Sequence, residues 1–120
     1  MEKIFDIKDR TYAYALLVVR FLESLPKDYV AHTIGKQLLR SATSIGANIV
    51  EAQASSSKKD FANFYSYSLK SSNESRFWLN LLRDLEKASS EKIDSILKET
   101  HELSKILAAS LLTIKGRKKF

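Results

Sequence analysis

Gln37, Arg40, Ser44, Asn48, Glu51 and Ser55 follow one another at steps of three and four, the spacing that stacks side chains on one face of an α-helix. Amides, hydroxyls and one charge of each sign on a single stripe can do hydrogen-bonding and ion-pairing chemistry. Beside this stripe runs a second one, Ile34, Leu38, Ser41, Ile45, Ile49 and Ala52, mostly apolar and suited to a core. A solvated helix face is more usually built from Lys and Glu than from Ser, Asn, Gln and Gly46, so the polar stripe is expected to meet protein.

Catalytic chemistry needs a different constellation, and the sequence does not supply one. His32 and His101 stand apart from any His-x-x-x-His or Glu-x-x-His spacing, so no metal site is expected. The serines lack a Gly-x-Ser-x-Gly elbow, and the three glycines form no phosphate-cradling loop. Zero cysteines exclude disulfides, thiolate metal sites and a cysteine nucleophile. Glu51 and Glu74 could pair as carboxylates, but Arg40 points to neutralisation. The expectation is a protein that is not an enzyme and takes no cofactor.

The elements that must hold the stripe can be read from periodicity. At 120 residues the chain is long enough for one domain with a sizeable core. Three Gly and one Pro leave little material for a many-turned β protein, and the expected class is all-α. A first helix is expected over about Lys8 to Leu25, stopped by Pro26. The second follows Lys27 and Asp28 and carries the polar stripe to about Ser55. Ser57 and Asp60 form a variant capping box, opening a third helix near Lys58 that runs to about Lys87. Ser89 and Ser90 supply a turn and an N-cap for the fourth, in which Ile93, Ile96, Leu97, Thr100, Leu103, Leu107, Ser110, Leu111 and Ile114 keep helical steps.

Short connections make these helices antiparallel neighbours, an up-down-up-down four-helix bundle over residues 1–114 with a basic tail at 115–120. Ser66, Ser68, Ser71, Ser72 and Ser75 give the third helix a small-residue surface, matched by Ala42, Gly46 and Ala47 on the second, so these two should pack closely. The first and third helices are apolar around more of their circumference than a monomer would cover, so a homo-oligomer is expected. No apolar run approaches the ~18 residues of a membrane span, and the charged start lacks a signal-peptide core. A cytoplasmic protein without membrane contact is expected.

The net charge of +6 is unevenly spread. Lys115, Arg117, Lys118 and Lys119 hold four of the six charges. Such a terminus is either a solubilising tail or an electrostatic contact to phosphate.

Leu25-Pro26 with Tyr29, the run from Gln37 to Glu51, Asp60-Phe61, and Ser71 with Glu74 together resemble the bacterial four-helix bundle proteins called 23S rRNA intervening-sequence proteins, over nearly the whole chain. The chain departs from that pattern at Asp28, where the family usually has Glu, and at Ala52, where it usually has Gly; Ala52 lets the second helix continue. The resemblance implies an up-down bundle assembled as a ring-like homopentamer. Some such proteins are encoded within insertions in 23S rRNA genes. A related branch serves as accessory subunits of diversity-generating retroelements, binding a reverse transcriptase and nucleic acid, and the Arg76-Phe77-Trp78-Leu79 segment and basic terminus look like that branch.

Two expectations follow. Arg40 and Glu51 stand about three turns apart, too far to pair on one helix. Arg40, Asn48 and Glu51, with Gln37 and Ser44 on the same stripe, are therefore expected to bond across to Ser71 and Glu74 of the third helix, or to line a subunit interface. For function, the first reading is an oligomeric scaffold binding RNA or DNA backbone through Lys115, Arg117, Lys118 and Lys119, helped by Arg76, Arg83 and Lys105. The alternative is a protein adaptor for a partner encoded nearby, such as a reverse transcriptase, anchored by Trp78 and Tyr67.

Overall fold

The computed structural model describes residues 6–118, and among them four helices and no strand: α1 (Ile7–Glu23), α2 (Tyr29–Gln53), α3 (Lys58–Asp84) and α4 (Ser90–Lys118). Each begins at a side chain that accepts an orphan backbone N–H of the first turn. Asp6 accepts from the N–H of Lys8 at 3.0 Å, Asp28 from Ala31 at 2.8 Å, Ser57 from Asp60 at 3.0 Å and Ser89 from Lys92 at 3.2 Å. The Asp28 carboxyl is held below its ordinary range, first by the Ala31 N–H and then by Lys87. Lys87 itself sits in the α3–α4 turn, 3.4 Å from Asp28, and so ties that turn to the start of α2.

Helix ends differ from the periodic reading by a few residues, for local reasons. α1 stops at Glu23, where the Ser24 hydroxyl donates to the Phe21 carbonyl at 2.6 Å. α3 stops at Asp84, where Glu86 takes a left-handed φ of 58°. The Glu86 N–H then bonds Arg83 and the Lys87 N–H bonds Leu82, a complete Schellman closure with glutamate where glycine is usual. α4 continues through Lys118, so residues 115–118 extend the last helix beyond its core stripe.

The connections are short and successive helices run antiparallel, in a body of 52 × 34 × 21 Å. α2 and α3 share the most extensive interface, α3 and α4 the next, α1 and α2 less, and α1 touches α4 least. Val18, Leu38, Ile45, Ile49, Leu79, Leu82, Ile93, Leu103 and Leu107 are fully buried between them. Full burial of one such side chain is worth roughly 1.5–3 kcal/mol, so this shared core holds the bundle together. At Gly46 the backbone of α2 approaches α1 so closely that a Cβ would lie 3.1 Å from the Thr11 hydroxyl.

Ser68, Ser72 and Ser75 of α3 are buried, and their hydroxyls have the partners that burial requires. Ser75 and Ser41 share a hydrogen bond at 2.8 Å, and Ser68 donates to the Ile45 carbonyl at 2.8 Å, joining α3 to α2. Ser72 instead turns to α4 and meets Ser104 at 2.7 Å.

Candidate functional site

The α3 helix has one edge against α2 and another against α4. Along the α2 edge the polar stripe is closed on itself. Arg40 donates to Gln37 at 3.0 Å on its own helix and pairs with Glu74 of α3. Glu74 also accepts the Trp78 indole N–H at 2.9 Å. The expected link from Arg40 to Glu74 is therefore present, and Trp78 completes it.

The rest of the stripe does not cross to α3. Ser44 donates to the Arg40 carbonyl at 2.7 Å, and the Asn48 amide donates to the Ser44 carbonyl at 2.8 Å. Short polar side chains inside a helix find the carbonyl four residues back before they find a neighbouring helix. Glu51 is exposed, and Ser71 is half-buried with its carbonyl accepting from the Ser75 hydroxyl. Asn48 and Glu51 thus lie on the same face as Arg40 without sharing its bonds.

The α4 edge is built differently. Arg83 meets Asp94 at 2.8 Å, and Ser72 meets Ser104; these two contacts set the antiparallel register. The bond to Asp94 raises the Arg83 guanidinium above its ordinary pKa, against desolvation, and Asp84 at 3.4 Å adds to it. Between those contacts lies Arg76, half-buried. It donates to Asn73 at 3.1 Å and more weakly to Ser104 at 3.5 Å. Its Nε is buried without a hydrogen-bond partner, and among the described residues Arg76 pairs with no carboxylate. A partly desolvated cation without an anion is unfavourable.

Helical spacing from Ser104 puts His101, Lys105, Ala108, Leu112 and Lys115 of α4 along the same edge. Lys105 reaches Glu102 only at 3.7 Å and stays exposed. The other nearby carboxylate on α4, Glu99, faces α1, where it holds Arg10 in a two-pronged pair at 2.8 and 2.9 Å. On α3, Lys70 is exposed one turn before Asn73. At the far end of the seam Lys58 and Ile114 border one groove, bringing the start of α3 to the end of α4 near Lys115. Arg117 and Lys118 fall on the last backbone turn of α4, and Lys119 lies outside the described residues. Arg76, Lys105 and Lys115 therefore share one face, while Arg83 stands at its other end already neutralised. The positions of Lys58, Lys59 and Lys70 were not singled out by spacing; the Lys58-Lys59 pair opening a capped helix was their only signal.

The α1 to α4 contact adds a neutral hydrogen bond to the Arg10–Glu99 ion pair. The Tyr14 hydroxyl and Thr100 lie 2.6 Å apart, and burial pushes the phenol up to about 12 against the effect of that bond. Among the described residues no group of three or more His, Asp or Glu side chains could hold a metal ion. No described helix is long and apolar enough to cross a membrane. His32 borders an open groove with Leu22, Leu25, Asp28, Gly35 and Leu39 and makes no ion pair among the described residues.

No curated protein matches the chain. A solved structure does, described as a protein of unknown function from the S23 ribosomal protein family of Bacteroides thetaiotaomicron. The two align at a TM-score of 0.82 and 36% identity, over 88% of this chain and 98% of that one. The model of the 23S rRNA-intervening sequence protein family matches residues 3–109, spanning all of α1, α2 and α3 and most of α4, and the chain belongs to that family.

Proposed function

We propose that the protein is a non-catalytic, oligomeric scaffold of the cytoplasm that holds the phosphate backbone of RNA or DNA along the α3/α4 edge. The observation that carries this reading is Arg76, positioned by Asn73 and Ser104 yet without a carboxylate among the described residues. Lys70, Lys105 and Lys115 on the same face add exposed positive charge, and the sequence adds Arg117, Lys118 and Lys119 beyond it. Phosphate supplies the missing counter-charge, and guanidinium matches its geometry. The family's description, which names 23S rRNA, accords with a nucleic-acid partner.

Assembly is part of the proposal. Tyr12, Ala15, Ala47 and Val50 line a shallow apolar groove between α1 and α2, on the side of the molecule away from the basic edge. Tyr12 is 67% and Val50 50% exposed, so a second copy has apolar surface to cover there. A ring, pentameric as the resemblance implies, would repeat the basic edge and turn weak contacts into useful affinity.

The test is binding of labelled RNA and DNA, single-stranded and duplex, across a salt series, with mass measured by light scattering and a variant lacking residues 115–120 in parallel. Expected are an oligomer, binding that falls steeply with salt through counterion release, and weaker binding without the terminus. An intact oligomer that binds nothing at low salt would overturn this reading in favour of the adaptor.

A further inference from the structure

The basic edge carries a group that phosphate binding does not need. Asn73, Arg76, Phe77 and Asn80 stand at i, i+3, i+4 and i+7 of α3, a diamond on one face whose centre pair, Arg76 and Phe77, each neighbour both Asn73 and Asn80, the two tips lying about two turns apart. Two amides, one guanidinium and one aromatic ring occupy it, and none of the four is a carboxylate. Phe77 is 58% exposed. It is nonetheless fixed in place, since its ring packs edge-to-face on Trp78 with centroids 4.9 Å apart. Trp78 is in turn tethered to Glu74, so the ring is braced from the closed edge and presented at the open one.

Arg76 is pre-arranged in the same way. One end of its guanidinium is held by Asn73 and Ser104 and its Nε is buried. Nη1 makes no hydrogen bond among the described residues, which leaves its donors for an incoming acceptor. A cation fixed beside an exposed, immobilised aromatic ring is the pairing that receives a phosphate and the face of an unstacked base. Amides alongside can bond base edges.

We propose that this diamond is a nucleotide site for single-stranded RNA or DNA, in which Arg76 takes the phosphate, Phe77 stacks on an unpaired base, and Asn73 and Asn80 meet its polar edge. The inference rests on the nucleic-acid reading above and narrows it. In a duplex the bases already stack on one another, and only the phosphate contact is available.

The experiment uses the full chain and fluorescein-labelled oligouridylate and oligodeoxythymidylate of about twelve nucleotides, within the range one such surface covers, together with a duplex of the same length. Phe77→Ala is expected to weaken single-strand binding roughly tenfold, within the range of one lost base stack, and to leave duplex binding unchanged. Phe77→Trp restores it. Arg76→Gln is expected to weaken single strand and duplex alike and to lower the salt slope by about one. The single tryptophan of the chain, lying against Phe77, should change its emission on single-strand binding in the unaltered protein. Loss confined to the RNA or to the DNA strand supports the site and names its polymer.

Single-strand affinity unchanged by Phe77→Ala, with Arg76→Gln still weakening both forms, overturns the nucleotide site and leaves the phosphate reading standing. Equal weakening of both forms by Phe77→Ala, or loss of the oligomer, overturns it as well, since Phe77 would then be packing against protein. Failure of every variant and of the unaltered protein to bind any strand overturns both readings together.

Discussion

The two edges of α3 handle positive charge in opposite ways. On the α2 side Arg40 is paired with Glu74, and Glu74 is saturated further by the Trp78 indole. Gln37 is drawn into the same group, while Ser44 and Asn48 spend their side chains on carbonyls of their own helix. On the α4 side Arg83 is neutralised by Asp94, but about two turns earlier Arg76 pairs with no carboxylate among the described residues. The sequence stripe that looked richest in chemistry spends most of its bonding within the molecule. A side chain announces an outside partner by what its surroundings fail to supply, and a dense polar pattern that satisfies itself is architecture.

The comparison can be broken most forcefully at the crossing of α2 and α3. Ser75→Leu forces a larger side chain into the fully buried contact with Ser41, and overpacking there is expected to cost roughly 1–3 kcal/mol, read as a lowered denaturant midpoint. A cost near zero would show that this edge is not close-packed.

The α1/α4 contact, held by the Arg10–Glu99 ion pair and the Tyr14–Thr100 hydrogen bond, offers the next test. The Tyr14 phenol is raised from 10.0 to about 12 in the folded chain, so its contribution is intact below pH 10, where both states are protonated. Between pH 10 and 12 the unfolded chain loses the proton and the folded chain keeps it, and stability falls by about 2–3 kcal/mol. Tyr14→Phe should remove that alkaline step; an unaltered alkaline midpoint in the variant would assign it elsewhere.

Arginine substitutions sharpen the contrast directly. Arg76→Met removes a half-buried cation that has no anion, and a gain of about 1 kcal/mol is expected alongside loss of nucleic-acid affinity. Arg40→Met, more exposed and already paired, should lose up to about 1 kcal/mol and leave binding unchanged. Thermal melts and the salt series on both variants decide it, and the opposite signs are the point: if both lose stability equally, the two edges are alike. Smallest of all is Glu74→Ala. Its pair with Arg40 is largely solvated, so about 0.5 kcal/mol or less is expected from the ion pair, with a shift in Trp78 emission as the more sensitive reading.

Much of this was legible before the fold was known. Spacing located all four helices, and Ser57 and Ser89 marked two of their starts because such short acceptors satisfy the first-turn N–H groups. The Arg40 to Glu74 link was legible too, since an arginine among amides and hydroxyls needs a carboxylate from another helix. Asn48 does not make the expected bond to α3, for a reason that spacing cannot correct: a position on the right face does not say whether an amide reaches outward or back to its own turn. Arg83 and Arg76 looked equivalent in the sequence, because the residue that separates them, Asp94, is eleven positions from one and eighteen from the other.

By itself the sequence determined the class of the protein. Apolar side chains repeating at three and four commit the chain to helices that must bury a stripe, and short capped connections commit those helices to antiparallel neighbours. Tertiary structure alone decided which polar groups end without partners. Whether a charge is compensated depends on distances of a few ångströms between helices, and those are set by register: Ser72 against Ser104 and Arg83 against Asp94 align α3 with α4, leaving Arg76 beside hydroxyl and amide groups with no acid in reach among the described residues.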